Sequence, residues 1–165
     1  MLKATLIRYT NYNLWANELL LNVIEKNVSN ANFDKEISSS FPSLKKTIYH
    51  ILDAELIWMK RLNGESLTDW PGKNFSGSLK EAKERILAND KEFINFVDNS
   101  SDEELAIPFT YKNIEGKMFS NPVWESILHC MNHSTYHRGQ AVTMMRQLGV
   151  AELPSTDFIT YCRIK

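Results

Sequence analysis

"NPVWESILHCMNHSTYHRGQAVTMMRQLG", residues 121–149, decides the reading of this chain. Asn121 is a good N-cap residue, Pro122 suits the first helical position, and Gly149 suits the end. The stretch between them reads as one long helix. Three of the chain's four histidines, His129, His133 and His137, lie on it at intervals of four. A helix turns about 100° per residue, so residues four apart point about 40° apart, one turn along the axis. Two imidazoles placed in that way can bind one metal ion.

The fourth histidine, His50, lies upstream in "SLKKTIYHILDAELIWMKRLNG". Ser43 is an N-cap type residue, Leu44, Ile48, Ile51, Leu52, Leu56, Met59 and Leu62 recur at threes and fours, and Gly64 suits a C-terminal stop. His50 borders the apolar side of this second helix. A third imidazole from a neighbouring helix would complete a His₃ set and leave coordination open, as catalytic metal sites do. Against this, a histidine pair four apart also arises by chance, as surface or core hydrogen-bonding residues. His129 is four from His133 but about 80° from His137, so all three do not comfortably share one ion on a straight helix. It reads as a residue supporting a ligand or as a plain helix position.

Two more helices complete the pattern. Leu2 to Lys26 carries helical spacing through Leu6, Tyr9, Asn13, Ala16, Leu20 and Ile24. "SLKEAKERILANDKEFINFVDNS" opens with Ser78 and Glu81 in capping-box spacing. Before the last helix, Leu105, Ile107, Phe109 and Tyr111 alternate and "NIEG" offers a turn, which predicts a short β-hairpin with Pro108 confining it to an edge. Phe158, Ile159 and Tyr161 give the tail something to bury. The fold class expected is all-α: a single domain over residues 1–165, a four-helix bundle with a hairpin between helices 3 and 4. The two long connections suggest an up-up-down-down order.

Composition narrows the function. Hydrophobic residues make up 43% and charged residues 24%, and the formal net charge is −1. No basic patch points to nucleic acid, and no run is long and apolar enough for a membrane span. The N-terminus lacks a signal-peptide h-region, and Cys130 and Cys162 are too few for a disulfide framework. A cytoplasmic protein is expected.

Other residues near the motif carry two readings each. Arg138 could hold an anionic substrate or anchor its helix to an acidic residue. Gln140 could bond a ligand or a neighbouring backbone. These two are the candidate catalytic residues. Gly139, costly in mid-helix, suggests a close helix contact or space beside a metal. Asp53 could orient a ligand imidazole or be a solvated carboxylate. Cys130 could be a fourth ligand, a reactive thiol or a small core residue, the last being commonest. Trp15, Trp58 and Trp124 read as core or pocket lining. Ser134 stands where a zinc protease of the H-E-x-x-H type has its glutamate, which disfavours peptide hydrolysis.

"HSTYHRGQ" with "HILDAELIWMKRLNG", together with "YNLWANELL", "FPSLKKTIYHI", "FTYKNIEGKMFS" and "PSTDFITYCR", resembles the DinB family of metal-binding four-helix bundles. The resemblance spans nearly the whole chain. It implies an up-up-down-down bundle with a divalent metal ion, zinc, nickel or iron, near one end. By motif position the ligands fall on His50, His133 and His137, the set that spacing also suggests. Some relatives are thiol S-transferases or isomerases using thiols such as bacillithiol or mycothiol; others have no assigned chemistry. The resemblance thus implies a small-molecule substrate with a low-molecular-weight thiol. A metal-dependent hydrolase and a non-catalytic stress-response metal protein stay open, and a homodimer through a bundle face is compatible with each.

Overall fold

The structure is a computed structural model that describes residues 1–73 and 75–164. Its elements are α1 (Leu2–Asn27), α2 (Asn30–Phe33), α3 (Leu44–Leu62), α4 (Leu79–Asn99), α5 (Asp102–Ala106), β1 (Pro108–Lys112), β2 (Met118–Pro122), α6 (Val123–Gln147) and α7 (Phe158–Arg163). The long helices α1, α3, α4 and α6 form the expected four-helix bundle.

Local chemistry sets most boundaries as expected. The Ser43 hydroxyl accepts from the Lys46 N–H at 3.2 Å and starts α3. Ser78 and Glu81 form a reciprocal capping box at the start of α4. Gly64 and Gly149 take φ values of 84° and 86° just past α3 and α6, where a side chain would be strained. The hairpin pairs Pro108 with Pro122 through Lys112 with Met118. Its turn is held by Asn113, whose Oδ1 accepts from the N–H groups of Glu115 and Lys117.

Three expectations are corrected. Leu105 does not belong to the strand: Ser101 and Glu104 form a second capping box, and residues 102–106 make a helical turn before Pro108 opens β1. The last helix begins one residue later than its cap signals imply. Pro122 is its N-cap because Asn121 is held in β2 opposite Phe109. Finally, the helix directions run up, down, down, up rather than up-up-down-down. Leu20, Ile24, Leu44, Ile48, Ala82, Ile86, Ala141 and Met144 pack together at one end, and Leu6, Met59, Phe93, Val97, Ile127 and Met131 at the other. The ends of α1 and α6 thus meet the starts of α3 and α4. The chain can do this because the Gly- and Pro-containing segment after α3 runs back along the bundle, as the bond from the Tyr49 hydroxyl to the Gly77 carbonyl shows.

Each bundle helix packs against two others: α1 on α4 and α6, α3 on α6 and α4. Fully buried Leu, Ile and Phe side chains each contribute roughly 1.5–3 kcal/mol to this packing. Among the described residues no helix is long and apolar enough to cross a membrane. α7 lies on α1 through aromatic contacts, Phe158 with Tyr9 and Tyr12, and Tyr161 with Tyr12 and Trp15.

Candidate metal centre

Antiparallel packing of α3 on α6 sets the site. Thr47 bonds the Met144 sulfur on one side of His50, and Glu55 accepts from Ser134 at 2.7 Å on the other. Between these fixed points His50 meets both histidines of α6. His133 Nε2 lies 3.1 Å from His50 Nε2 and 3.1 Å from His137 Nε2. One ligand atom from each residue lies within 4.8 Å of the others.

The three rings point their nitrogens at one another rather than at ordinary partners. His137 Nδ1 lies 2.8 Å from Gln140 Oε1, which makes Nδ1 the donor and leaves the Nε2 lone pair facing inward. Gln140 is itself held by a bond from its amide to Ser40 Oγ at 3.1 Å. A proton on His133 Nε2 could bridge to one neighbour and not to both. A cation satisfies all three. The separations are short enough for one ion to be shared by all three residues.

Burial keeps the set unprotonated. It lowers His50 to about 4, helped by His137, and lowers His133 to about 3, helped by His137 and His50. His137 is lowered by burial too, against an upward pull from Gln140. Neutral imidazole is the form that ligates. His133 Nδ1 is buried without a hydrogen-bond partner.

A cavity of about 430 Å³ opens beside His50, walled by Phe41, Tyr49, Trp70 and Phe75 with Asp53 among its lining. Phe41 stacks on His50 at 4.2 Å, and Trp70 lies 5.8 Å from the same ring. Asp53 is neither bonded to a histidine nor freely solvated. It is partly buried, burial raises its carboxyl, and Gly72 lies over it so closely that a Cβ there would be 2.0 Å from Asp53 Oδ1.

The remaining candidates separate cleanly. Arg138 is fully buried and bonds Asn13 Oδ1 at 2.5 Å, Asn17 Oδ1 at 2.8 Å and Thr135 Oγ1 at 2.7 Å. These are the contacts of an anchor inside the bundle. Gln140 meets a histidine rather than a backbone. Cys130 is fully buried in the core around Leu6 and Met131, and burial pushes its thiol up. Gly139 is exposed, and a Cβ built there meets nothing within 4 Å, so neither a close helix contact nor room beside a metal explains it. His129 stacks edge-on against Trp58 at 5.0 Å and stays outside the triad.

Sequence reasoning missed two groups. The loop residues Phe41 and Trp70 carry no periodic signal that would assign them to a pocket. Asn13 and Asn17, with Glu55 and Asp90, form a buried polar network around Arg138. Two asparagines four apart on an otherwise apolar helix face were its available signal.

The model of the DinB family matches residues 1–164. Protein DinB of Bacillus subtilis (strain 168) is 29% identical over 157 residues, covering 91% of this chain and 89% of that protein. The crystal structure of a DinB-like protein from Bacillus subtilis superposes with a TM-score of 0.67 at 15% identity, covering 90% of this chain and 96% of that one. A DinB-like protein from Bacillus cereus ATCC 10987 gives 0.65 at 19% identity, covering 88% and 91%. With the family model spanning the bundle from end to end and its fold reproduced here, the chain belongs to the DinB family.

Proposed function

We propose that His50, His133 and His137 hold one divalent cation, zinc, nickel or iron, and that the protein uses it as a metal-dependent enzyme on small molecules. The observation that carries this reading is the convergence of three neutral imidazole nitrogens from two helices. Among the described residues no further histidine, cysteine or carboxylate joins the group. That favours an open site over a closed structural one.

Bound there, a divalent cation holds a thiolate or hydroxide at neutral pH, which is the chemistry of S-transfer or of hydrolysis. The chain's own residues prepare the rest. Gln140 orients His137, a role whose loss typically weakens metal affinity. Phe41 and Trp70 shield His50 from water. Asp53, made more basic by burial, is placed in the cavity wall to accept a proton from an entering group.

Transfer of a low-molecular-weight thiol to an electrophile is the reaction preferred, on the family resemblance and the cavity beside His50. Self-association belongs to the same reading, with the exposed Phe158, Ile159 and Ile164 of the C-terminal segment as the apolar surface available for it. The test is a screen of the metal-loaded protein with cysteine, glutathione and bacillithiol against a chlorobimane acceptor. Saturable turnover absent from His50→Ala supports S-transfer. Silence with every thiol and with ester substrates would leave a metal protein without this chemistry.

A further inference from the structure

The segment that joins α2 to α3 reaches the histidine triad. Its ends are anchored: Phe33 is buried in the core, Ile37 packs against it, and Leu44 is fully buried at the start of α3. Between these anchors the Ile37 N–H donates to the Pro42 carbonyl at 2.9 Å, which closes residues 37–42 into a small loop of their own. Ser38, Ser39 and Ser40 are exposed, and Phe41 is partly buried. The Phe41 ring stacks on His50 with centroids 4.2 Å apart and meets His137 edge-on at 5.5 Å, so it touches ligands from both helices of the site. Among the described residues, the one hydrogen bond from residues 38–41 to the bundle is Ser40 Oγ accepting from Gln140 Nε2 at 3.1 Å. Gln140 Oε1 in turn accepts from His137 Nδ1 at 2.8 Å.

We propose that residues 37–42 are a lid over the metal centre, with Phe41 as its plug and the Ser40–Gln140 bond as its latch; the inference rests on the triad being the metal site proposed above. A segment opens readily when its backbone is exposed and few bonds tie it to the core. One neutral hydrogen bond, which shifts a population about two- to tenfold, and one aromatic ring hold this loop down. The Ile37–Pro42 bond keeps the loop together as it lifts, while Phe33 and Leu44 stay in the core. The same Gln140 side chain holds the loop and orients His137, so the position of the lid and the orientation of a ligand are coupled. With the lid down, His50 is covered by Phe41, and an ion or substrate approaching from that side waits for it to lift.

The probe is diethylpyrocarbonate, which acylates neutral imidazole, applied to metal-free protein with the modification of each histidine followed by mass spectrometry. Ser40→Ala removes the latch and leaves the Phe41 ring in place. It should speed modification of His50 about two- to tenfold, the population shift expected from losing one neutral hydrogen bond. Phe41→Ala removes the plug and should speed it further. His129, which lies against Trp58 outside the triad, should change in neither variant. An unchanged His50 rate in Ser40→Ala would overturn the proposal whatever Phe41→Ala does, because a fixed wall needs no latch. Equal acceleration at His129 would also overturn it, as a sign of general loosening. Ser40 is exposed, so its variant decides the matter even if Phe41→Ala fails to fold. The readout needs no metal, so a triad that took up no ion would fail the metal reading without altering this result.

Discussion

Two polar clusters share α6, one residue apart in phase. His133 and His137 face His50 of α3; Ser134 and Arg138, each the next residue along, face the bundle interior. The inner cluster is paired at most of its polar atoms, with Glu55 Oε2 and Arg138 Nε the exceptions. Asn13 and Asn17 donate to Glu55 and Asp90 and accept from Arg138, and Ser134 donates to Glu55. The outer cluster differs in kind: its three imidazoles turn ring nitrogens toward one another rather than toward carboxylates or amides of other helices. Buried polar groups are almost always paired. A network whose bonds run between side chains of all four bundle helices therefore reads as architecture, and a set of imidazoles converging on one another reads as a place for a ligand.

The comparison breaks first at Arg138. Arg138→Met would strip the only cation from a network holding two carboxylates, and removing one partner of a buried charge cluster costs about 3–5 kcal/mol. Urea unfolding should register that loss with or without metal. If the variant were as stable as wild type, the inner cluster would not be the tie described here. At the outer cluster, Gln140→Leu should leave unfolding nearly unchanged and weaken metal affinity by about 10-fold or more, because the imidazole loses its orienting partner. A competition titration with a chelator measures it. Equal affinity would remove Gln140 from the site.

The clusters also carry opposite pH signatures. His50 and His133 titrate in the folded state near 4 and 3 rather than 6.5. Below pH 6.5 the unfolded chain takes up protons that these native histidines refuse, so their contribution is intact above 6.5 and is lost as pH falls through those values. Asp90 behaves in reverse. Burial and Glu55 raise it well above 3.8, so its contribution is intact in acid and is lost as pH rises. In metal-free protein, His50→Ala combined with His133→Ala should flatten the acid-side loss seen in urea unfolding across pH 4–6.5. A profile parallel to wild type would assign that loss elsewhere. The smallest effect is expected at Gly139→Ala, which meets nothing and should stabilise the helix by up to about 1 kcal/mol. A lower thermal midpoint would show that Gly139 has a packing role after all.

How much of this was legible in the sequence follows the same division. The outer cluster was, because i, i+4 histidines share a helix face whatever that helix packs against. Capping signals were equally local: Ser43, Ser78 with Glu81, and Gly149 act within a few residues. The inner cluster was not. Asn13, Glu55, Asp90 and Arg138 lie on four helices, and amphipathic spacing says which face is buried without saying what it meets. Helix direction failed for the same reason, since loop length permits either a crossover or a return along the bundle. Leu105 misled because an alternating apolar pattern ran on into a turn that the Ser101–Glu104 capping box had already claimed.

The measurement that tests the central claim most directly is metal content. Wild-type protein and His50→Ala are each stripped, reconstituted with zinc, nickel and iron in turn, and analysed after removal of free ions. One bound ion per wild-type chain for at least one metal, and a small fraction of that in the variant, is the predicted result. Equal metal in both, or none in either, would contradict it.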